Sequence, residues 1–330
     1  MTKVLLTGAS GFIAKHILRE LLEKGYAVRA SIRSERRKAE IQALFPEAEI
    51  EFATLDLSKD DGWDTALSGV DVLMHTASPF PLAEPKDPQE LIRPAVDGTL
   101  RALKAAKAAG VDRVIMTSSC VAIYKDASKP KMMPSDEGNW TTADAPYVSA
   151  YEASKTLAEK AAWDFVAQTP EIALTTINPG LVFGPAMDEY YGTSLNIVDQ
   201  MMNGQMPMVP NMHMVTVDVR DVARMHVAAI NLEATKGERF IASSDAMSFL
   251  ELGQSIKATI PDAKTPKRIA PDWLLRAMAL FAKDVRAITP NLGRNLLCSN
   301  KKAPKTFGMQ FIPTRDAVVA SAQSVRAFGK

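Results

Sequence analysis

Cysteine is nearly absent. Only Cys120 and Cys298 occur in 330 residues. Two thiols build neither a disulfide framework nor a cysteine-based zinc site, and as reduced thiols they point to a cytoplasmic protein. Histidine is scarce too: His16, His75, His213 and His226. The Met212-His213-Met214 triplet has no second His–Met cluster to complete a copper site, so no metal is expected. Excess charge of one sign is also missing, with 39 Lys+Arg against 38 Asp+Glu. No basic surplus is left to hold a phosphate backbone, which argues against nucleic-acid binding. No uncharged apolar run reaches the ~20 residues needed to cross a bilayer. The nearest, Trp273–Ala282, is short and contains Arg276, so no membrane span is expected. No basic leader with an apolar stretch is present. Met1 leads directly into Lys3-Val4-Leu5-Leu6-Thr7, a buried-strand pattern, and the fold is expected to open there. Repeats, low-complexity tracts and long Gly/Ser linkers are likewise missing, so any lobes pack directly on one another.

What is present is a globular composition, 47 % apolar and 23 % charged. The length suits one large α/β unit or two coupled domains. Strand-length apolar runs fall at 4–7, 27–33, 50–54, 72–77, 114–117 and 174–178. Helical stretches lie between them. Ile13, Ile17 and Leu21 recur every four residues before a stop at Gly25; further helices are expected from about 95 to 109 and from about 148 to 168. This rhythm predicts a doubly wound, Rossmann-like α/β parallel sheet with helices on both faces. Residues 1–180, with a return segment at about 215–243, form the expected dinucleotide-binding domain. Residues 181–214 and 244–330 form a smaller, mostly helical substrate-binding lobe. Seven methionines between Met187 and Met214 are read as its core filling or as an adaptable pocket wall.

Thr7-Gly8-Ala9-Ser10-Gly11-Phe12-Ile13 follows the first strand and opens a helix. Gly8 suits the tight turn and Gly11 the close approach of a pyrophosphate. The helix start adds free N–H groups and partial positive charge. This predicts a dinucleotide site at Gly8, Ser10, Gly11, Phe12 and Ile13; the alternative is a purely structural turn. The second strand ends at Arg33, with Arg36, Arg37 and Lys38 beyond and no acid at the ribose position. That favours NADP(H) over NAD, with Arg33 and Lys38 on the 2′-phosphate, unless the run is only a solvated basic helix start. Tyr151 and Lys155 are spaced by four, which puts them on one helical face. The strand 114–117 ends in Ser118-Ser119, on the side where open α/β sheets bind ligands.

Together, TGASGFIA, TSS, YEASK and INPGLVFGP resemble the extended short-chain dehydrogenase/reductase family. The run VRASIR, the segment HTASPF and the stretch YEASKTLAEKAAWDF resemble its dihydroflavonol-reductase and cinnamoyl-CoA-reductase-like branch, microbial aldehyde and ketone reductases included. The resemblance implies an NADP-dependent oxidoreductase that reduces an aldehyde, ketone or hydroxyketone to the alcohol. Tyr151 would donate the proton, and Lys155 would bind the nicotinamide ribose and lower the Tyr151 pKa. Ser119 would hold the carbonyl oxygen, with Ser118 as the alternative. Asp56 and Leu57 would lie by the adenine and Ala77 at the fourth strand. Pro179, Gly180, Leu181 and Val182 would lie beside the nicotinamide. Relatives imply a monomer or a homodimer formed through the two long middle helices. Alternatives are a hydroxysteroid dehydrogenase, an NAD-dependent sugar-nucleotide epimerase or dehydratase, whose diphosphate would need Lys264, Lys267 and Arg268, and a non-catalytic NADP-binding regulator. His16 is expected at the surface of the first helix, and Cys120 as a small buried residue.

Overall fold

A computed structural model describes residues 1–79, 85, 87–129, 133–293 and 295–329. Phe80, within the HTASPF segment, lies outside them, as does part of the 127–139 stretch.

The first part of the chain alternates strand and helix: β1 (Lys3–Thr7), α1 (Phe12–Glu23), β2 (Ala27–Ile32), α2 (Glu35–Leu44), β3 (Ile50–Thr54), α3 (Trp63–Leu67) and β4 (Val72–His75). It continues through α4 (Gln89–Ala108), β5 (Arg113–Thr117), α5 (Ala150–Ala167) and β6 (Ala173–Pro179). The remainder holds β7 (Leu181–Phe183), α6 (Thr193–Met202), β8 (His213–Asp218), α7 (Val219–Ala228), β9 (Glu238–Ala242), β10 (Asp245–Ser248) and α8 (Phe249–Thr259). It closes with α9 (Asp272–Met278), α10 (Lys283–Ile288), β11 (Asn295–Leu296), α11 (Lys302–Phe307) and α12 (Thr314–Phe328).

Seven parallel strands form the main sheet in the order β3-β2-β1-β4-β5-β6-β9. Order reverses beside β1, the switch point at which open α/β sheets bind ligands. The strands are continuous apolar runs because both faces are covered. One face packs Ile17, Leu18, Leu21, Val222 and Met225 from α1 and α7. The other packs Trp63, Leu103, Ala106 and Ala162 from α3, α4 and α5. Helix α1 stops where Gly25 takes φ +75°, and α4 where Gly110 takes φ +73°, backbone that side chains with a Cβ avoid. Helix α5 starts on a capping box, in which Ser149 Oγ accepts from Glu152 N and the Glu152 carboxylate accepts from Ser149 N.

A smaller sheet is built on β8, which pairs antiparallel with β10 and parallel with β7 and β11. Helices α6, α8 and α12 pack there on Phe183, Val198, Met201, Val209 and Ile256. The lobe therefore carries a four-stranded sheet beside its helices. These strands are short, and all but β7 mix polar with apolar residues, so no long buried-strand run announces them. Met201, Met202, Met206 and Met247 fill the space between sheet and helices. The segment around 215–243 divides: β8 belongs to the small sheet, whereas α7 and β9 join the large one. Among the described residues, no helix is long and apolar enough to cross a membrane.

Candidate functional site

At the ends of β1 to β4 lies a cleft of about 290 Å³, lined by Thr7, Gly8, Ser10, Gly11, Arg33, Asp56, Leu57 and Ala77 among others. Gly8 has φ +67°, and a Cβ there would stand 2.9 Å from Ala77 Cα. The turn therefore needs glycine twice over, for its backbone angle and for space. Around it, Gly8 N donates to Ser31 Oγ at 3.1 Å, and Thr7 Oγ1 accepts from Thr76 N and Ala77 N, both at 3.1 Å. Gly11 caps α1 without a side-chain bond, which leaves first-turn N–H groups for an anion. Arg33 is exposed at the rim. Asp56 Oδ1 accepts from Ser58 N at 2.8 Å and Ser58 Oγ at 2.7 Å, which holds its carboxyl below the usual range. A tight glycine cradle, an uncapped helix start and a cationic rim together fit a dinucleotide with an extra phosphate.

Beyond β5 the chain brings Ser119 to Tyr151 on α5, and their hydroxyls are hydrogen-bonded. Ser119 Oγ also accepts from Val121 N at 3.3 Å and lies 3.4 Å from Pro179 O. Burial pushes the Tyr151 phenol up to about 12; the Ser119 bond opposes the rise and the nearby Glu152 carboxylate adds to it. Ser119 is the group that holds the phenol down. Lys155 is itself brought down to about 8 by burial, with Glu159 acting in the opposite sense. A phenol raised in this way is protonated at neutral pH, as a proton donor must be. His75 links this group to the cleft. Its Nδ1 lies 3.0 Å from Thr7 Oγ1, and burial, then Lys155, bring it down to about 4. Because Thr7 Oγ1 already accepts two N–H bonds, its proton points to His75 Nδ1.

Other predicted residues fall in several places. Lys38 does not line the cleft. Its ammonium lies 3.7 Å from Glu35 and over the Phe52 ring. Arg37 pairs with Glu40 at 2.6 Å and stacks on Tyr190, which leaves Arg33 as the cation among the described residues of the cleft wall. Phe12 and Ile13 start α1 but pack inward, Phe12 edge-on against His16 and Ile13 on the main core. Gly180 lies against the small sheet, where a Cβ would meet Val215 O at 2.4 Å. Leu181 and Val182 belong to β7. Ser118 is excluded from the Tyr151 pair, since it donates to Glu159. His16 is buried, contrary to the surface position expected. Its Nε2 sits 2.9 Å from Pro185 O and Arg19 donates to Nδ1, because the 185–190 segment lies over α1. Lys15 is buried with it, paired with Asp188. Cys120 is buried as expected, with Sγ donating to Asn178 O and Cys298 packed against it.

Two features were missed. One is the buried ion pair of Lys125 and Glu152 at 2.7 Å, with Tyr124 OH on the same carboxylate. The other is Glu159, which gathers Ser118, Thr176, Asn178 and Arg239. Each residue reads alone as an ordinary surface charge or polar strand position.

A glycine-rich turn at a switch point, with a Ser–Tyr–Lys group two strands away, defines a short-chain dehydrogenase/reductase architecture. The chain belongs to the NAD dependent epimerase/dehydratase family, whose model matches residues 4–242. Within that extended family it falls in the dihydroflavonol-reductase/cinnamoyl-CoA-reductase-like branch. It is similar to a cinnamoyl-CoA reductase of Medicago truncatula, 34 % identical over 98 % of this chain and 95 % of that protein. It is also similar to the NADPH-dependent methylglyoxal reductase of Saccharomyces cerevisiae, 30 % identical over 98 % of both. The crystal structure of yeast methylglyoxal/isovaleraldehyde reductase complexed with NADPH matches with a TM-score of 0.83 at 29 % identity, covering 99 % of each chain.

Proposed function

We propose that this enzyme uses NADPH to reduce a small or aromatic aldehyde, ketone or hydroxyketone to the alcohol, with Ser119, Tyr151 and Lys155 as catalytic residues. It is an NADP-dependent oxidoreductase. The observation that carries the reading is the Ser119–Tyr151 hydroxyl pair one helical turn from Lys155.

The cofactor supplies the hydride. The turn at Gly8, Ser10 and Gly11 receives its diphosphate, and Arg33 faces the 2′-phosphate. Asp56 and Leu57 shape the adenine side, and Ala77 makes the contact at the fourth strand. Tyr151 holds a proton on its phenol oxygen and delivers it to the carbonyl oxygen. Ser119 donates a hydrogen bond to that oxygen as charge develops. Lys155 binds the nicotinamide ribose, and its ammonium steadies the tyrosinate left behind. Pro179 and Gly180 bound the nicotinamide side. Residues 1–180 with the return helix form the cofactor half, and 181–214 with 244–330 the substrate half. The protein acts in the cytoplasm on a small molecule, as a monomer or homodimer.

The sugar-nucleotide reading is not favoured. Lys264, Lys267 and Arg268 line a groove beside α8 and the Gly204–Pro207 turn, on elements that carry none of the three catalytic residues. The test is NADPH absorbance loss over a panel of methylglyoxal, an aromatic aldehyde, a hydroxyketone and a ketosteroid. Turnover of one of the first three is expected. A protein that binds NADPH tightly yet reduces none of them would overturn the assignment, and selective turnover of the ketosteroid would replace it with steroid chemistry.

A further inference from the structure

Glu159 stands one turn beyond Lys155 on α5 and is fully buried. A carboxylate so placed must satisfy its lone pairs inside the protein. Oε2 accepts from Ser118 Oγ at 2.5 Å and Asn178 Nδ2 at 2.7 Å. Oε1 accepts from Thr176 Oγ1 at 3.0 Å and Arg239 Nε at 2.7 Å, with Trp163 Nε1 at 3.4 Å. Arg239 is fixed in turn. It donates to Glu137 O and Asn139 O, and its guanidinium carbon lies over Trp140, 3.6 Å from the ring centroid. Asn178 uses its second Nδ2 proton on Ser119 O, at 3.2 Å.

We infer that Glu159 is a positioning residue of the reductase site: its carboxylate fixes the Asn178 amide, which holds the Ser119 main chain, and it supplies the negative charge that Lys155 faces from the same helix. The inference rests on the reductase reading for the roles of Ser119 and Lys155. Burial disfavours the Lys155 ammonium and Glu159 on α5 favours it, while His75 at the end of β4 is kept neutral by burial and adds no charge. Glu159 is faced by Arg239 from β9, Asn178 and Thr176 from β6, and Ser118 after β5. A role limited to the fold would make the Glu159–Arg239 pair a tie between α5 and β9 and nothing more. A buried pair can be replaced by neutral groups without loss of stability, whereas removing one partner strands the other. That difference separates the two roles.

The experiment compares Glu159→Gln, the double variant Glu159→Gln with Arg239→Gln, and Asn178→Ala. Melting temperature, kcat, carbonyl KM and the pH dependence of NADPH binding are measured for each. For Glu159→Gln, kcat is expected to fall about 10- to 100-fold, since small misplacements at a reacting centre cost that much. Carbonyl KM should stay within about threefold of wild type. The alkaline limbs of kcat and of NADPH affinity should move down by about one pH unit, a tenfold change in Lys155 protonation. The double variant should recover the melting temperature but neither kcat nor the limbs. Asn178→Ala should lower kcat about tenfold with the limbs in place. Recovery of kcat and both limbs along with stability in the double variant would overturn the inference, as would wild-type kcat in Asn178→Ala. NADPH binding needs no carbonyl, so a wild type that reduces nothing would sink the reductase reading while the shift in the binding profile still tests Glu159.

Discussion

Ser119 and Tyr151 share a hydrogen bond between their hydroxyls, and that bond is what restrains a phenol otherwise driven up by burial. Tyr151→Phe removes the proton while keeping the ring. Turnover is expected to fall at least ~100-fold, the lower end of what positioned proton transfer contributes. NADPH affinity should change little. Steady-state kinetics beside a fluorescence titration check both; near-normal turnover in the folded variant would remove Tyr151 from the chemistry.

Lys155, lowered to about 8, loses its ammonium as pH rises through that value. Turnover and NADPH affinity are expected to decline together above pH 8. Lys155→Ala should show both losses already at neutral pH. A variant that binds NADPH as wild type does would confine the lysine to one role.

Among the described residues that line the cleft, Arg33 is the cation. Charge-assisted hydrogen bonds contribute ~1.5–3 kcal/mol each, so a preference for NADPH over NADH of about 10- to 100-fold is expected. Arg33→Asp should reverse the order by repelling the phosphate. Added salt should weaken NADPH binding more than NADH binding, because the site is exposed and screened. Equal wild-type dissociation constants would refute the assignment.

Gly180→Ala would drive a Cβ to within 2.4 Å of Val215 O. Overpacking of this kind costs about 1–3 kcal/mol, read as a lower urea midpoint with an unchanged slope. Gly25→Ala meets nothing within 4 Å but holds φ +75°, and should lose only about 1–2 kcal/mol. Equal stability of Gly180→Ala and wild type would mean that β6 and β8 separate freely there.

Three histidines, His16, His75 and His226, are buried and brought to about 4, mainly by burial. In the unfolded chain they titrate near 6.5. Between those values the unfolded state binds more protons, so stability is complete above pH 6.5 and is lost as pH falls toward 4. Each histidine contributes a slope of at most ~1.4 kcal/mol per pH unit. Urea midpoints from pH 7.5 to 4.5 measure this, and a flat series would contradict the burial.

Much of the large sheet is readable in the chain because burial on both faces demands continuous apolar runs, as in Val4–Leu6 and Val114–Met116. The turn at Gly8 and the spacing of Tyr151 and Lys155 are local, so a short window holds them. Glu159, Asn178 and Arg239 come from three separate elements and acquire meaning only when β6, β9 and α5 meet. His16 escapes notice for the same reason: what buries it is the distant segment carrying Pro185 and Asp188. The small sheet is hidden by its own brevity, with β11 only two residues long.

The chain passes from the large sheet to the small one at Gly180, returns between β8 and β9, and leaves again at Ser243 and Ser244. Neither half is therefore a detachable module. A gene fragment ending after β6 would lack the β9 edge strand, and a fragment beginning at β7 would lack the surface on which α7 rests. Change in what such a protein accepts is channelled into point substitutions and loop-length variation around a shared frame. Recombination that exchanges whole lobes would have to cut and rejoin the chain in register at each of these crossings, and again around α11, whose Ala303 and Phe307 pack on the large core.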